Sequence, residues 1–243
     1  MNIEGKTVFV TGGGVRVGAV IVRAFAARGA RLVIHCNNSR KEAGELLESI
    51  GGREKGHRIF FCDLTDKKLR EEGGKAASLK EIFADADVLI NNASCYFRKN
   101  MMEETLAEMM AQFDVNFFAP VLLMKFFAER AKEGSNIINI LDQGIVKSDP
   151  KAFSYSLSKK ALAEATKSAA LTLAPRIRVN AVAPGPMIPP VDMPFSTMEK
   201  SMDSIPLKKT VSPEDVACAC LFLAENPSMT GSIITLDGGL SLV

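Results

Sequence analysis

The chain has 243 residues, a formal net charge of +2, and 47% hydrophobic and 24% charged residues. This length suits one large α/β domain, since single cores split near about 250 residues, and the charge balance leaves no basic excess of the kind that binds nucleic acid. The chain reaches an apolar strand by Thr7 with no secretory succession, and its longest apolar stretch, 117–128, is interrupted by Lys125. That stretch falls short of the about 20 residues that cross a bilayer, so the expectation is a cytoplasmic protein with neither nucleic-acid nor membrane partners.

In chain order, short β-rich runs alternate with longer amphipathic ones. Residues 6–11 read as a strand, followed by a helix from about Arg16; 31–35 as a strand, then a helix from Ser39; 57–62 as a strand, with a helical pattern from Thr65 onward. The alternation continues with a strand at 87–91, a long helix at about 102–131, a strand at 135–141, a helix at about 154–173 and a strand at 178–183. A helix after Ser212 and a strand near 233–236 close it. Parallel neighbours cannot be joined by a tight turn, so strands separated by helices imply a parallel sheet with helices on both faces. The expected fold is α/β, a doubly wound Rossmann fold with a seven-stranded sheet, forming a single catalytic domain over 1–243. Between Pro184 and Pro194 lie five prolines, which mark a loop after the sixth strand. Ligands in open α/β sheets bind beyond the carboxyl ends of the strands, so a loop at about 184–210 is the candidate substrate lid.

The five cysteines, Cys36, Cys62, Cys95, Cys218 and Cys220, form no CxxC pair, and only two histidines accompany them. Reduced structural thiols and no metal site are expected.

Two ends of a binding site are legible. Gly12, Gly13, Gly14 and Gly18 form a glycine-rich turn between the first strand and the first helix. Backbone amides there can approach a pyrophosphate, and the helix N-terminus adds partial positive charge. At the end of the second strand, where NAD-preferring sites place a carboxylate, the residues run from Ile34 through His35, Cys36, Asn37, Asn38, Ser39 and Arg40 to Lys41. Asn38 and Ser39 can donate to a 2′-phosphate, and Arg16, Arg40 or Lys41 can neutralise it, which points to NADPH. At the other end, Tyr155 and Lys159 stand four apart on one helical face. A lysine cation beside a phenol lowers its pKa and makes Tyr155 a workable proton donor.

Together, the turn from Thr11 to Gly18, Asn91-Asn92-Ala93, Asn116, the Tyr155/Lys159 pair, Pro184-Gly185 and Asp237-Gly238-Gly239 resemble the short-chain dehydrogenase/reductase family along the whole chain. The resemblance implies nicotinamide chemistry and a homotetramer. It also implies cofactor contacts from Gly12, Arg16, Val17, Gly18, His35, Asn38, Ser39, Asp63, Leu64, Asn92, Ala93, Ser94, Lys159, Pro184, Gly185 and Met187. Two departures are similar to pteridine reductases: Arg16 replaces the middle glycine of the turn, and Asp142, 13 residues before Tyr155, replaces the usual serine. That likeness implies a catalytic set of Asp142, Tyr155, Lys159 and Asn116, with Arg16, Ser94 and Tyr96 at a pterin substrate and Tyr96 as its stacking platform. The threonine usual after Pro184-Gly185 is replaced by Pro189, leaving the nicotinamide contact to backbone near Met187. Arg98 and Lys99 are a solvated pair or a contact for an acidic folate tail.

Three functions compete. Reduction of a pterin requires a hydride on carbon and a proton on nitrogen, and a carboxylic acid at Asp142 can share the proton work. A carbonyl or 3-oxoacyl-carrier reductase ordinarily has serine there, because a carboxylate repels a developing oxyanion unless protonated. An NADPH-binding sensor would need the glycine-rich turn but no proton donor.

Overall fold

The computed structural model describes residues 1–66, 74–187 and 202–243. Seven parallel strands form one sheet: β1 Thr7–Val10, β2 Arg31–Cys36, β3 Arg58–Phe61, β4 Val88–Asn91, β5 Ser135–Ile140, β6 Ile177–Pro184 and β7 Ile233–Leu236. Their spatial order is β3-β2-β1-β4-β5-β6-β7. Helices α1 Arg16–Ala27, α2 Arg40–Ser49 and α7 Pro213–Glu225 cover one face, whereas α3 Gly74–Asp85, α5 Ala119–Arg130 and α6 Phe153–Leu173 cover the other. The remaining helix, α4 Leu106–Phe113, leads through a π-helical turn into α5.

The strands are apolar on both sides because both faces are covered. Alternate side chains therefore enter opposite cores. In β1, Phe9 packs with Phe83 and Phe127 beneath α3 and α5, while Val8 and Val10 pack with Ile21, Val22 and Phe25 of α1. The same division separates Val33 from Leu32 and Ile34 in β2, and Leu89 from Val88 and Ile90 in β4. Both cores are continuous across the sheet, so strand register and helix placement are fixed together.

The strands and helices fall where the sequence places them, with three differences. Residues 57–62 shorten to Arg58–Phe61: at His57 the side chain takes the place of a backbone partner, its imidazole accepting from Leu32 N–H at 3.1 Å and bonding Ile50 C=O at 3.2 Å. No helix begins at Thr65: the Asp63 carboxylate accepts from Thr65 N–H and Oγ at 2.8 and 2.7 Å, closing a turn, and α3 is described from Gly74. The long helix starts at Leu106, after Thr105 and Glu108 form a reciprocal capping box, and it is interrupted by a π-turn at Asp114–Phe118. Most of the loop expected at about 184–210, including Pro189, lies outside the described residues.

The continuous helix Leu106–Arg130 is 25 residues long and apolar enough, by length and composition, to meet the measure of a membrane span, a test that core helices also pass. It packs against α3 and α6 within the fold and leaves Leu106, Met110 and Phe118 exposed.

Candidate active site

The chain leaves β1 toward α1 on one face and leaves β4 toward the other, so a crevice opens at the carboxyl ends of these neighbouring strands. A cleft of about 880 Å³ lies there, running from the glycine-rich turn past Asn92 and Tyr155 to Met187.

At the cofactor end, the turn is tied to its surroundings at several atoms. Gly12 has φ +59°, a left-handed conformation that glycine adopts without a Cβ penalty. A Cβ on Gly18 would lie 2.0 Å from the Gly12 carbonyl oxygen and 2.7 Å from Asn92 Nδ2, so no larger residue fits without breaking the turn. Asn92 Nδ2 donates to the carbonyls of Thr11 and Gly12 at 3.0 and 3.1 Å, and Thr11 Oγ1 accepts from the N–H groups of Asn92 and Ala93 at 2.8 and 2.9 Å. Helix α1 begins after Val15, which provides no side-chain cap, and has no acidic residue in its first turn. These features suit the bound pyrophosphate of a dinucleotide. Arg16 has φ +52°, a costly conformation for any residue with a Cβ, and its side chain lines the cleft.

His35 has a different role from a direct cofactor contact alone. Its Nδ1 accepts from Gly12 N–H at 3.1 Å and its Nε2 bonds the Cys62 carbonyl at 2.9 Å, an arrangement satisfied by the neutral ring protonated on Nε2. Burial pushes its pKa down to about 4. The imidazole thus holds the glycine-rich turn against β3. Asn38, Asp63 and Leu64 line the same end of the cleft, whereas Ser39 precedes α2 and makes no side-chain cap. Of the three candidate cations, Arg16 borders the cleft, Arg40 stacks on Phe61 at 4.4 Å, and Lys41 reaches Glu45 at 3.9 Å.

At the reacting end, β5 delivers Asp142 and α6 delivers Tyr155 and Lys159. Tyr155 Oη donates to Asp142 Oδ2 at 3.2 Å, and Asp142 Oδ1 accepts from Gly144 N–H at 2.7 Å. Asp142 therefore both caps its loop and meets the phenol. Lys159 Nζ donates to the Ile140 carbonyl at 2.9 Å. Burial shifts all three groups toward their uncharged forms: Asp142 is raised, Tyr155 is raised well above the ordinary phenol, and Lys159 is lowered to about 8. The expectation was a lysine-depressed Tyr155 pKa; here the shift is upward, driven by desolvation and by the Asp142 carboxylate. Tyr155 is held as a protonated phenol, the form that donates.

Tyr96 lies edge-on to Tyr155, with ring centroids 4.7 Å apart and planes at 88°. Ser94, Tyr96 and Arg98 line the cleft, as do Pro184, Gly185 and Met187 on its far wall. Lys99 is instead bound to Glu108 at 2.7 Å. Asn116, carried on the π-turn, is fully buried: its Nδ2 donates to the Cys95 carbonyl at 2.7 Å, and its Oδ1 accepts from Cys95 N–H and Ser94 Oγ at 2.9 and 3.0 Å. It positions the segment bearing Tyr96. Thr11 clamps the turn to the end of β4, a role whose only local signal in the sequence is a polar residue ending an apolar strand. Among the described residues, no group of three or more His, Cys, Asp or Glu side chains is placed to hold a metal.

The His35 geometry has a measurable consequence. Its folded pKa of about 4 lies below the ordinary 6.5, so the unfolded chain binds more protons in that interval and stability falls as pH drops through it. The expected loss is about 3 kcal/mol, fully developed below the folded pKa. Urea unfolding at stepped pH should show His35→Leu with a flatter dependence than the wild-type chain, a comparison that cancels the contribution of His57. Parallel curves would show that the ring is not held neutral.

A family model described as enoyl-(acyl carrier protein) reductase matches residues 14–241. Similar proteins include an uncharacterized oxidoreductase of Thermotoga maritima, 33% identical with 100% of both chains covered. Pteridine reductase 1 of Leishmania tarentolae is 32% identical over 96% of this chain and 95% of its own. Among solved structures, FolM alternative dihydrofolate reductase 1 from Brucella canis, complexed with NADP, matches with a TM-score of 0.90 and 32% identity, covering 100% of this chain and 96% of that one. Similarity of this extent along the whole chain makes it an oxidoreductase of the short-chain dehydrogenase/reductase family.

Proposed function

We propose that the protein is an NADPH-dependent pteridine reductase acting on a dihydropterin, biopterin-like or folate-like substrate. The observation that carries this reading is the Asp142–Tyr155 hydrogen bond, a carboxyl where a carbonyl reductase of the family would present a hydroxyl. The names of the Leishmania and Brucella relatives agree with it, and the NADP in the Brucella complex agrees with the cofactor.

The residues fit the cofactor: the Gly12–Gly18 approach leaves room only for backbone, α1 offers an uncapped N-terminus, and Arg16 supplies a cation at the cleft. When bound, NADPH supplies the hydride that reduces a C=N carbon. Tyr155 gives its phenolic proton to the ring nitrogen, and its high pKa keeps that proton in place until a basic nitrogen arrives. Asp142, biased toward its neutral form by burial, either returns a proton to Tyr155 or donates one itself. Lys159 places a positive charge beneath the pair below about pH 8, countering the charge left on the phenol after transfer. Tyr96 presents an aromatic surface for a flat heterocycle.

The homotetramer that the family resemblance implies and the exposed Leu106, Met110 and Phe118 support assembly through the α4–α5 face. Light scattering should return a mass several times that of one chain, and a monomer would rule the assembly out.

The direct test is absorbance-monitored NADPH oxidation with dihydrobiopterin, dihydrofolate and an acetoacetyl thioester offered separately. Turnover with a pterin is expected; turnover with the thioester alone would assign a carbonyl reductase instead. Tyr155→Phe should reduce kcat by about 100-fold or more while NADPH still binds, as expected for removal of a proton donor. Asp142→Ser should weaken pterin reduction more than any thioester activity. Unchanged pterin kinetics in that variant would remove Asp142 from the mechanism.

A further inference from the structure

Tyr155 and Tyr96 meet across the cleft, yet they come from α6 and from the segment after β4, which share no continuous element. Asn116 fixes Cys95, one residue before Tyr96. On the other side, Phe97 N–H donates to Gln112 Oε1 at 3.0 Å. The same amide directs its Nε2 to Ser154 Oγ at 2.9 Å and to Glu104 Oε1 at 2.5 Å. Ser154, immediately before Tyr155, donates its hydroxyl to Glu104 Oε1 and its backbone N–H to Glu104 Oε2 at 3.2 Å. Glu104, Gln112 and Ser154 are all buried.

We propose that Glu104 is a positioning residue that sets the relative placement of Tyr155 and Tyr96 through Ser154 and Gln112. Three donors converge on one carboxylate at the N-terminus of α6, where the helix field favours negative charge. Every bond links a residue adjacent to one of the two tyrosines, directly or through one amide, to the same anion. Removing the carboxylate leaves Gln112 Nε2 with one bond fewer and the Ser154 N–H without this acceptor, so the tie between α6 and the Tyr96 segment is reduced to the Gln112–Ser154 bond and the bond from Phe153 N–H to the Lys99 carbonyl. Glutamine at 104 offers one acceptor oxygen in place of two and turns an amide toward donors, so it restores only part of the tie.

The functional meaning of this placement rests on reading Tyr155 as proton donor and Tyr96 as substrate platform, but its geometry can be read without any substrate. The chain has 2 tyrosines and no tryptophan, so the near-ultraviolet circular dichroism of its tyrosine band comes only from these two rings. Glu104→Ala should lose most of that band while retaining its far-ultraviolet spectrum and NADPH affinity. Its kcat with dihydrobiopterin should fall about tenfold or more, as misplacement of a reacting group does. Glu104→Gln should fall between the two in band and kcat. Asp87→Ala, which removes the Lys6 ion pair at the opposite end of the sheet, should lower stability without altering the band. A native tyrosine band in folded Glu104→Ala would overturn the proposal, as would a band lost equally in Asp87→Ala. If the alanine variant does not fold, the glutamine variant decides by the same band: native intensity overturns the proposal. Absence of pterin turnover in the wild-type chain would refute the pteridine reductase reading and leave the spectroscopic comparison intact.

Discussion

The cleft depends on a small set of hydrogen bonds where two neighbouring parallel strands part company. At the ends of β1 and β4 the chain departs to opposite faces, and Thr11 and Asn92 bind one another's backbone across the gap. The Asn92 amide also meets the Gly12 carbonyl, and the close approach of Gly18 leaves no space for a Cβ. His35 anchors the same turn from β2. With the turn fixed from two neighbouring strands, the N-terminus of α1 points into the crevice, and the remaining groups have a constant frame.

Within that frame, desolvation governs the acid–base character of the site. Burial favours neutral carboxyl, neutral phenol and a more readily deprotonated ammonium, and it acts on Asp142, Tyr155 and Lys159 together. The attraction between Asp142 and Lys159 opposes it only in part, and at Tyr155 the Asp142 carboxylate reinforces it. A tyrosine kept protonated by its surroundings is suited to giving up a proton only when an acceptor is delivered to it, which couples proton transfer to substrate placement. The same physics keeps the His35 ring neutral, where it serves architecture.

The long helix across the site departs from regular geometry where function requires it. A π-turn at Asp114–Phe118 turns Asn116 toward the Cys95 backbone, a feature of the sort that recurs at functional sites. One helical segment earlier, Gln112 joins Glu104 and Ser154. The two amides hold the Tyr96 segment from either side, so a chain with no regular secondary structure at residues 92–100 is nevertheless tied to the helices around it.

The sequence by itself determined the order of strands and helices, because apolar strands bounded by amphipathic helices have few ways to bury both faces of a sheet. It also marked Gly12, Gly18, Tyr155 and Lys159, whose residue types and spacing carry their chemistry locally, and Asp142 through the family resemblance. It misplaced the start of the long helix and did not reveal the π-turn, since those depend on the Thr105–Glu108 cap and on helix contacts rather than hydrophobic period. Only the tertiary structure decided that His35 spends both ring nitrogens on the chain itself, that Lys99 belongs to Glu108, and that the Tyr155 pKa moves up. It alone joined Glu104 to Ser154, 50 residues away. Hydrogen bonding and desolvation are set by what lies within a few ångströms in space, and linear spacing carries no record of partners brought together from distant strands and helices.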